Sequence, residues 1–169
     1  MRQWRGFTIL ELMITLVVLG LLAAIAVPSF SQMIARNNLS AASNDLVVAL
    51  LTARSEAVKR ECQVTVSRNG TWEDGWTANV LSNISGCTAQ QIVSHEVSSN
   101  NLAIATAGNI GNTVTYDPEG RAIGLAGGDA DYFELTLDGQ TRFVCLTLFG
   151  RPYVPDRNLT TDQSGMGCS

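Results

Sequence analysis

FTILELMITLVVLGLLAAIAVPSF, residues 7–30, decides what kind of chain this is. Apart from Thr8, Glu11, Thr15, Gly20 and Ser29 it consists of aliphatic, Met, Ala, Pro and Phe residues, and nothing comparable recurs later. As a helix its 24 residues rise about 36 Å, enough to cross a hydrocarbon core of about 30 Å once. Arg2 and Arg5 precede the run and no Lys or Arg follows before Arg36. The positive-inside bias therefore keeps the first residues in the cytoplasm and places the bulk of the chain outside. A short basic start, an apolar stretch and Ala24-Ile25-Ala26 also fit an ordinary cleaved secretory signal. Glu11 argues against that reading, because a carboxylate inside such a run costs about 2.5–3.5 kcal/mol on insertion scales and serves no purpose in a disposable segment.

Composition narrows the rest. The chain has 169 residues, room for one ordinary domain beyond the apolar run, and only 15% of them are charged against roughly 25% in an average soluble domain. A net charge of −4 offers no general attraction to nucleic acid. His95 is the single histidine and the four cysteines contain no Cys-x-x-Cys pair, so a zinc-type cage is disfavoured and no cofactor is expected. His95 also has no Ser or Cys nucleophile in an elbow-type motif to join, which argues against an enzyme. Asp129, Asp131 and Glu134 lack the ligand ladder of a calcium loop and are expected to form a solvated acidic turn.

Arg5-Gly6-Phe7-Thr8-Ile9-Leu10-Glu11-Leu12 resembles the prepilin signature of type IV pilins and type II secretion pseudopilins. The resemblance implies that a prepilin peptidase cuts after Gly6, that the new amino terminus, Phe7, is N-methylated, that Glu11 acts in assembly, and that Pro28 kinks a helix retained on the mature protein. It implies three segments: a leader over 1–6, a transmembrane and assembly helix over 7–30, and an extracytoplasmic globular pilin domain over 31–169.

Beyond Phe30, Leu39, Ala42, Leu46, Leu50, Ala53 and Ala57 recur at three- and four-residue steps, which predicts that the helix continues with one apolar face. Arg36, Asn44 and Arg54 are expected on the opposite face. Lys59 and Arg60 suit a helix carboxyl terminus. From Cys62 onward short β-branched runs alternate with turn residues. Strands are expected over 62–68, 76–81, 102–106, 113–116, 133–137 and 142–148, forming an antiparallel sheet of about six strands that the alanine-rich stripe of the helix covers. The fold expected is α+β, a pilin-like long helix on an antiparallel sheet.

The four cysteines lie on the exported side, where thiols oxidise. Of three possible pairings, Cys62–Cys87 and Cys145–Cys168 are favoured, because the hairpin that starts at Cys62 returns to its own base just before Cys87. The second bridge would pin the tail, with a loop-entropy gain of about 3 kcal/mol.

Ala53–Arg60, Asp74-Gly75-Trp76, Tyr116–Arg121 and Phe149-Gly150-Arg151 follow the order seen in the FimT/FimU group of minor pilins and the related GspH-type pseudopilins. Read as structure, Gly120 and Gly150 end strands, Trp76 is core, and Arg121 and Arg151 are solvated. The resemblance implies a minor pilus subunit in the inner membrane and then in the pilus, with major and minor pilins, the assembly platform, prepilin peptidase and membrane lipid as partners. The alternatives are a type II secretion pseudopilin and a DNA receptor for transformation, the latter through Arg151 and Arg157. Losing Arg2 and Arg5 with the leader leaves nine Lys and Arg against fifteen Asp and Glu, which argues against nucleic acid.

Overall fold

A computed structural model describes residues 7–82, 86–97, 101–126, 130–147, 149–155 and 168, with side chains for all of these except 25–29. The leader expected over 1–6, with Gly6, and the positions Asp129 and Arg157 lie outside the described residues. The chain divides into two compact units, Met1–Ala35 and Arg36–Ser169.

One helix, α1 (Ile9–Arg60), runs for 52 residues. Thr8 caps its start: the Glu11 N–H donates to Thr8 Oγ1 at 3.2 Å, and the Leu12 N–H donates to the Thr8 carbonyl. Its far end closes as a Schellman motif. Glu61 adopts a left-handed conformation (φ 54°), its N–H reaches the Val58 carbonyl, and the Cys62 N–H reaches back to Ala57. Lys59 and Arg60 in the last turn complement the dipole there. From Phe7 to Ala24 every residue is exposed. Among the described residues no helix is long and apolar enough to cross a membrane. The helix is assigned without a break through Pro28.

In the second unit α1 buries Leu39, Ser43, Leu46, Leu50, Ala53 and Ala57. Their four- and three-residue steps make one stripe, and alanines at its end allow close backbone approach. Ser43 takes the buried place expected of Ala42, because its hydroxyl donates to the Leu39 carbonyl at 2.7 Å and so carries no unmet polar demand. Of the residues expected on the opposite face, Arg36 and Asn44 are exposed and Arg54 is half-buried. Arg36 Nε donates to Gln140 Oε1 at 3.0 Å and Arg54 Nε to the Gly120 carbonyl at 2.7 Å, so both clip the helix to the β region.

The β region corrects the expectation of one sheet. Among the described residues nine strands form two sheets: β1 (Val64–Asn69), β2 (Thr71–Val80), β3 (Gln90–Glu96), β4 (Ala103–Ala107), β5 (Thr113–Tyr116), β6 (Ala122–Ile123), β7 (Tyr132–Leu137), β8 (Gln140–Leu146) and β9 (Pro152–Tyr153). The first sheet runs β3-β2-β1-β5-β6 and the second β4-β7-β8-β9, with every pairing antiparallel. Strand period two sorts the first sheet: Val64, Val66, Ala78, Val80, Val114 and Tyr116 are buried, while Thr65, Ser67, Thr77 and Thr115 are not. In the second sheet Ile104, Phe133, Leu135, Leu137 and Val144 are buried.

Two polar contacts fix the seam between the sheets. Glu73 on β2 accepts the Ile104 N–H of edge strand β4 at 3.0 Å, and Trp72 Nε1 donates to the Gly111 carbonyl. The Trp72 ring meets Phe133 of the second sheet edge-on at 4.9 Å. Partial burial works against ionising Glu73, yet hydrogen bonds from the Ile104 N–H, its own N–H and the Thr71 hydroxyl together outweigh it and hold the carboxyl below its usual range.

Candidate functional site

Three of the motifs singled out in the sequence meet in the second unit. Ala53–Arg60 ends the helix, Tyr116–Arg121 forms the loop between β5 and β6, and Phe149–Arg151 is the turn between β8 and β9. The loop is closed by the Asp117 N–H to the Arg121 carbonyl and the Gly120 N–H to the Asp117 carbonyl, both at 2.9 Å. The Asp117 carboxylate also accepts from the Arg121 N–H at 2.7 Å and from Arg121 Nε at 3.0 Å. Burial opposes ionisation of Asp117, but these bonds and the arginine's charge keep its carboxyl below the ordinary value.

The Tyr116 ring is fully buried and its hydroxyl donates to the Gly150 carbonyl at 2.9 Å. Burial pushes that hydroxyl's ionisation well above the ordinary tyrosine value, against a weaker opposing pull from Arg54. Gly150 is demanded on two counts. Its φ is +72°, and a Cβ there would lie 2.5 Å from Ala122 Cβ and 2.7 Å from Ala122 N. Gly120 (φ +76°) sits under Val58 in the same way, with 2.8 Å between a Cβ and Val58 Cγ2. The junction thus brings together backbone carbonyls, a buried hydroxyl and an arginine held by a carbonyl. It is a joint locking helix and sheets.

The single-residue expectations divide. Trp76 is fully buried and stacks on His95 at 4.6 Å and 18°, with its own Nε1 buried and unpartnered. His95 Nε2 lies 3.8 Å from Asp45 on the helix. Arg121 is largely exposed but pairs with Asp117 and with Glu119, 3.6 Å away. Arg151 is exposed; its backbone is held by Thr147, whose Oγ1 accepts the Arg151 N–H and whose N–H donates to the Arg151 carbonyl, both at 3.0 Å. Asp131 is a correction. It is fully buried, and its Oδ1 accepts the Asn109 N–H at 2.7 Å, because the tight turn at Gly108 leaves that donor facing inward. Glu134 is half-buried on β7. Among the described residues no group of three His, Cys, Asp or Glu is placed to hold a metal ion.

Cys62 is joined to Cys87 and Cys145 to Cys168, each with Cα atoms 5.8 Å apart. The second bridge is buried beside Phe143, and Tyr153 donates its hydroxyl to the Cys168 carbonyl at 2.6 Å, so residue 168 is tied to both β8 and β9.

At the other end, Phe7 is 81% exposed and lies with Thr8 just outside the helix, while Glu11 sits in the first turn. The Thr-x-x-Glu order of Thr8–Glu11 is a capping-box pattern that reading the run only for hydropathy overlooks. It puts the carboxylate where the helix dipole favours it.

An exposed apolar helix capped beside a carboxylate, on a chain whose remainder is an antiparallel β unit with a helix laid on it, defines a pilin-like subunit. The chain belongs to the GspH family, described as type II transport protein GspH, whose profile matches residues 42–150. Residues 1–27 match the prokaryotic N-terminal methylation motif. The fold is similar to that of the type IV minor pilin FimU of Pseudomonas aeruginosa, with a TM-score of 0.59 at 22% identity over 76% of this chain and 96% of that one. In sequence the chain is 28% identical to fimbrial protein EcpC of Eikenella corrodens over 160 residues, 93% of each. It is 32% identical to a fimbrial protein of Pseudomonas aeruginosa over 99 residues, 57% of this chain and 64% of that one.

Proposed function

We propose that this chain is a minor type IV pilus subunit that serves in initiating or capping the filament. The observation that carries this reading is a methylation motif over 1–27 in front of a FimU-like fold. On this reading residues 1–6 are a leader removed after Gly6, Phe7 becomes the methylated amino terminus, and residues 7–30 hold the subunit in the inner membrane until it leaves for the filament. Residues 31–169 stand outside the membrane. Pro28 loosens the helix by removing one backbone hydrogen bond. The partners are major and minor pilins, the assembly platform, prepilin peptidase and membrane lipid, and the role is structural, not enzymatic.

Glu11 carries the assembly step. Cleavage after Gly6 creates an amine on Phe7, and the Glu11 carboxylate of a subunit already in the filament is a partner for the amine of an incoming one. In a low dielectric that pair guides axial register. Glu11→Leu should be processed and inserted normally yet fail to enter filaments, whereas a bulky residue at Gly6 should stop processing itself. The check is to express each variant in a strain lacking the native copy and to measure processing, membrane level and surface pili separately. Normal-length mature protein from the Gly6 variant, or normal incorporation of Glu11→Leu, overturns the corresponding role.

A second reading, a minor pseudopilin of type II secretion, is favoured by the description of the family that matches residues 42–150. Deleting the chain separates the two: loss of surface pili supports the first reading, and loss of a secreted protein with pili intact supports the second.

A further inference from the structure

Two long stretches of the chain contain no Asp or Glu, residues 12–44 and residues 139–155, although fifteen acidic residues are spread over the rest. The fold brings parts of both stretches together within the second unit. Arg36 Nε donates to Gln140 Oε1 at 3.0 Å, and one turn further along α1 the Ser40 hydroxyl accepts from Arg142 Nη1. Gln140 and Arg142 are alternate residues of β8, opposite the buried Leu137 and Leu135 of β7, and so share the face turned to the helix. A helix turn and a two-residue strand repeat each advance about 6 Å, so the two contacts lie about that far apart, with one arginine supplied by each element. Each guanidinium uses one N–H on a neutral oxygen, which fixes its place without compensating its charge, and keeps further donors for an anion.

Among the described residues neither arginine meets a carboxylate. The acids nearest along the same elements are occupied or turned away. Asp45 on α1 lies 3.8 Å from His95 Nε2, and Glu134 stands opposite Phe143, on the other face of the second sheet. Asp138 is exposed at the β7–β8 turn, where solvent screens it.

We infer that Arg36 and Arg142 together bind the phosphate of a phospholipid headgroup at the outer face of the inner membrane. This rests on the reading of residues 7–30 as the segment that holds the subunit there. Arg36 follows Phe30 by six residues, about 9 Å at helical rise and at most about 20 Å for an extended connection, and the headgroup layer is about 5–8 Å deep. Lipid phosphate is therefore the anion within reach for as long as the subunit is membrane-held, whatever other proteins are present. Guanidinium donors meet phosphate oxygens at about 2.8 Å in fork geometry, and one phosphate can bridge two of them at the spacing set by the helix turn and the strand repeat. The lack of acids over residues 12–44 serves the same end, because a carboxylate on that length would be repelled by the phosphates beside it. Leaving for the filament then requires breaking this contact as well as withdrawing the apolar run.

The test uses the full chain purified in maltoside detergent, with dioleoylphosphatidylglycerol as probe and a glucosyl diacylglycerol, which lacks phosphate, as reference; native mass spectrometry measures the lipid retained. Wild type should retain the phospholipid over the glucolipid. Arg36→Gln combined with Arg142→Gln should weaken that retention about tenfold, and Arg151→Gln, which removes an exposed cation elsewhere, should leave it unchanged. Asn37→Glu, at an exposed position three residues from Ser40, sets a carboxylate beside the pair without touching either arginine and should also weaken retention. It decides the matter should the glutamine pair lower the unfolding midpoint. Wild-type retention in the glutamine pair or in Asn37→Glu overturns the inference, as does an equal loss in Arg151→Gln. Displacement of the lipid by an equal concentration of inorganic phosphate overturns it in favour of a soluble anion. Intact retention in a glutamine pair that is missing from surface filaments overturns it in favour of a carboxylate on another subunit. A chain that leaves the membrane fraction once processed defeats the proposed function, whereas a membrane-held chain whose retention ignores the two arginines defeats the headgroup site alone.

Discussion

Residues 9–24 and residues 36–60 lie on the same helix and are both rich in apolar side chains, yet they meet opposite fates. In the first stretch every described side chain is exposed. In the second, one stripe is fully covered by the β sheets and the other left open. The difference is one of patterning. A run that is apolar all round offers no preferred face to a sheet, and its cover has to come from outside the chain, from lipid or from other helices. A run in which Leu46, Leu50, Ala53 and Ala57 alternate with Arg36, Asp45, Arg54 and Lys59 has a face to bury and side chains long enough to fasten it. Arg36, Ser40 and Arg54 do the fastening, to Gln140, to Arg142 and to the Gly120 carbonyl.

The contrast breaks most readily in the core. Leu50→Ala should destabilise the second unit by about 2–5 kcal/mol, the range for emptying a buried leucine site. The same change at Leu16 should leave the unfolding midpoint where it was. Thermal unfolding of the full chain in detergent, followed by near-ultraviolet circular dichroism, measures both. Equal shifts for the two variants would mean that the exposed stretch supports the folded β unit.

A smaller effect separates two glycines. Gly150→Ala has to accommodate a methyl 2.5 Å from Ala122 Cβ at a φ of +72° and should cost more than about 1 kcal/mol. Gly20 has nothing within 4 Å of such a methyl, and alanine there should stabilise the helix by up to about 1 kcal/mol. Denaturant melts reporting the β unit and helix content by far-ultraviolet circular dichroism check the pair; a neutral Gly150→Ala would mean that the β8–β9 turn yields easily.

The smallest effect is acid loosening confined to the second unit. Asp117 and Glu73 hold their carboxyls below the usual range in the folded chain, so their contribution is present above the unfolded value near 4 and fades as pH falls through the lower folded values. Amide exchange at Ile104 and Arg121, whose N–H groups these carboxylates accept, should quicken between about pH 5 and pH 3 relative to amides of the β1–β2 ladder. Unchanged relative protection would show that neither bond matters to local opening.

Legibility in the sequence divides along the same line. The helix end at Arg60, the core place of Trp76 and the strand at Thr113–Tyr116 are readable because each rests on a local signal: terminal cations, a large apolar ring, a β-branched run before a turn. β3 is not, since Gln90–Glu96 is mostly polar and gains its place only by pairing with β2. β6 and β9 are two residues each, too short for any periodicity. Asp131 reads as surface because sequence shows a carboxylate but not the inward-facing Asn109 N–H it meets.

The sequence by itself determined the long helix and its termination, the antiparallel character of the β region, and the two candidate cysteine pairs, largely through effects that act within a few residues or through one hydrophobic period. Tertiary structure alone decided that the strands split into two sheets, with Glu73 and Trp72 at the seam, and that Arg36 and Arg54 turn back onto β8 and the β5–β6 loop. It alone left one helix stripe open while closing the other. Those outcomes depend on groups 66 and 104 residues apart in the chain, as Arg54 with Gly120 and Arg36 with Gln140 are, and partners at that separation leave no local periodicity or motif to mark them.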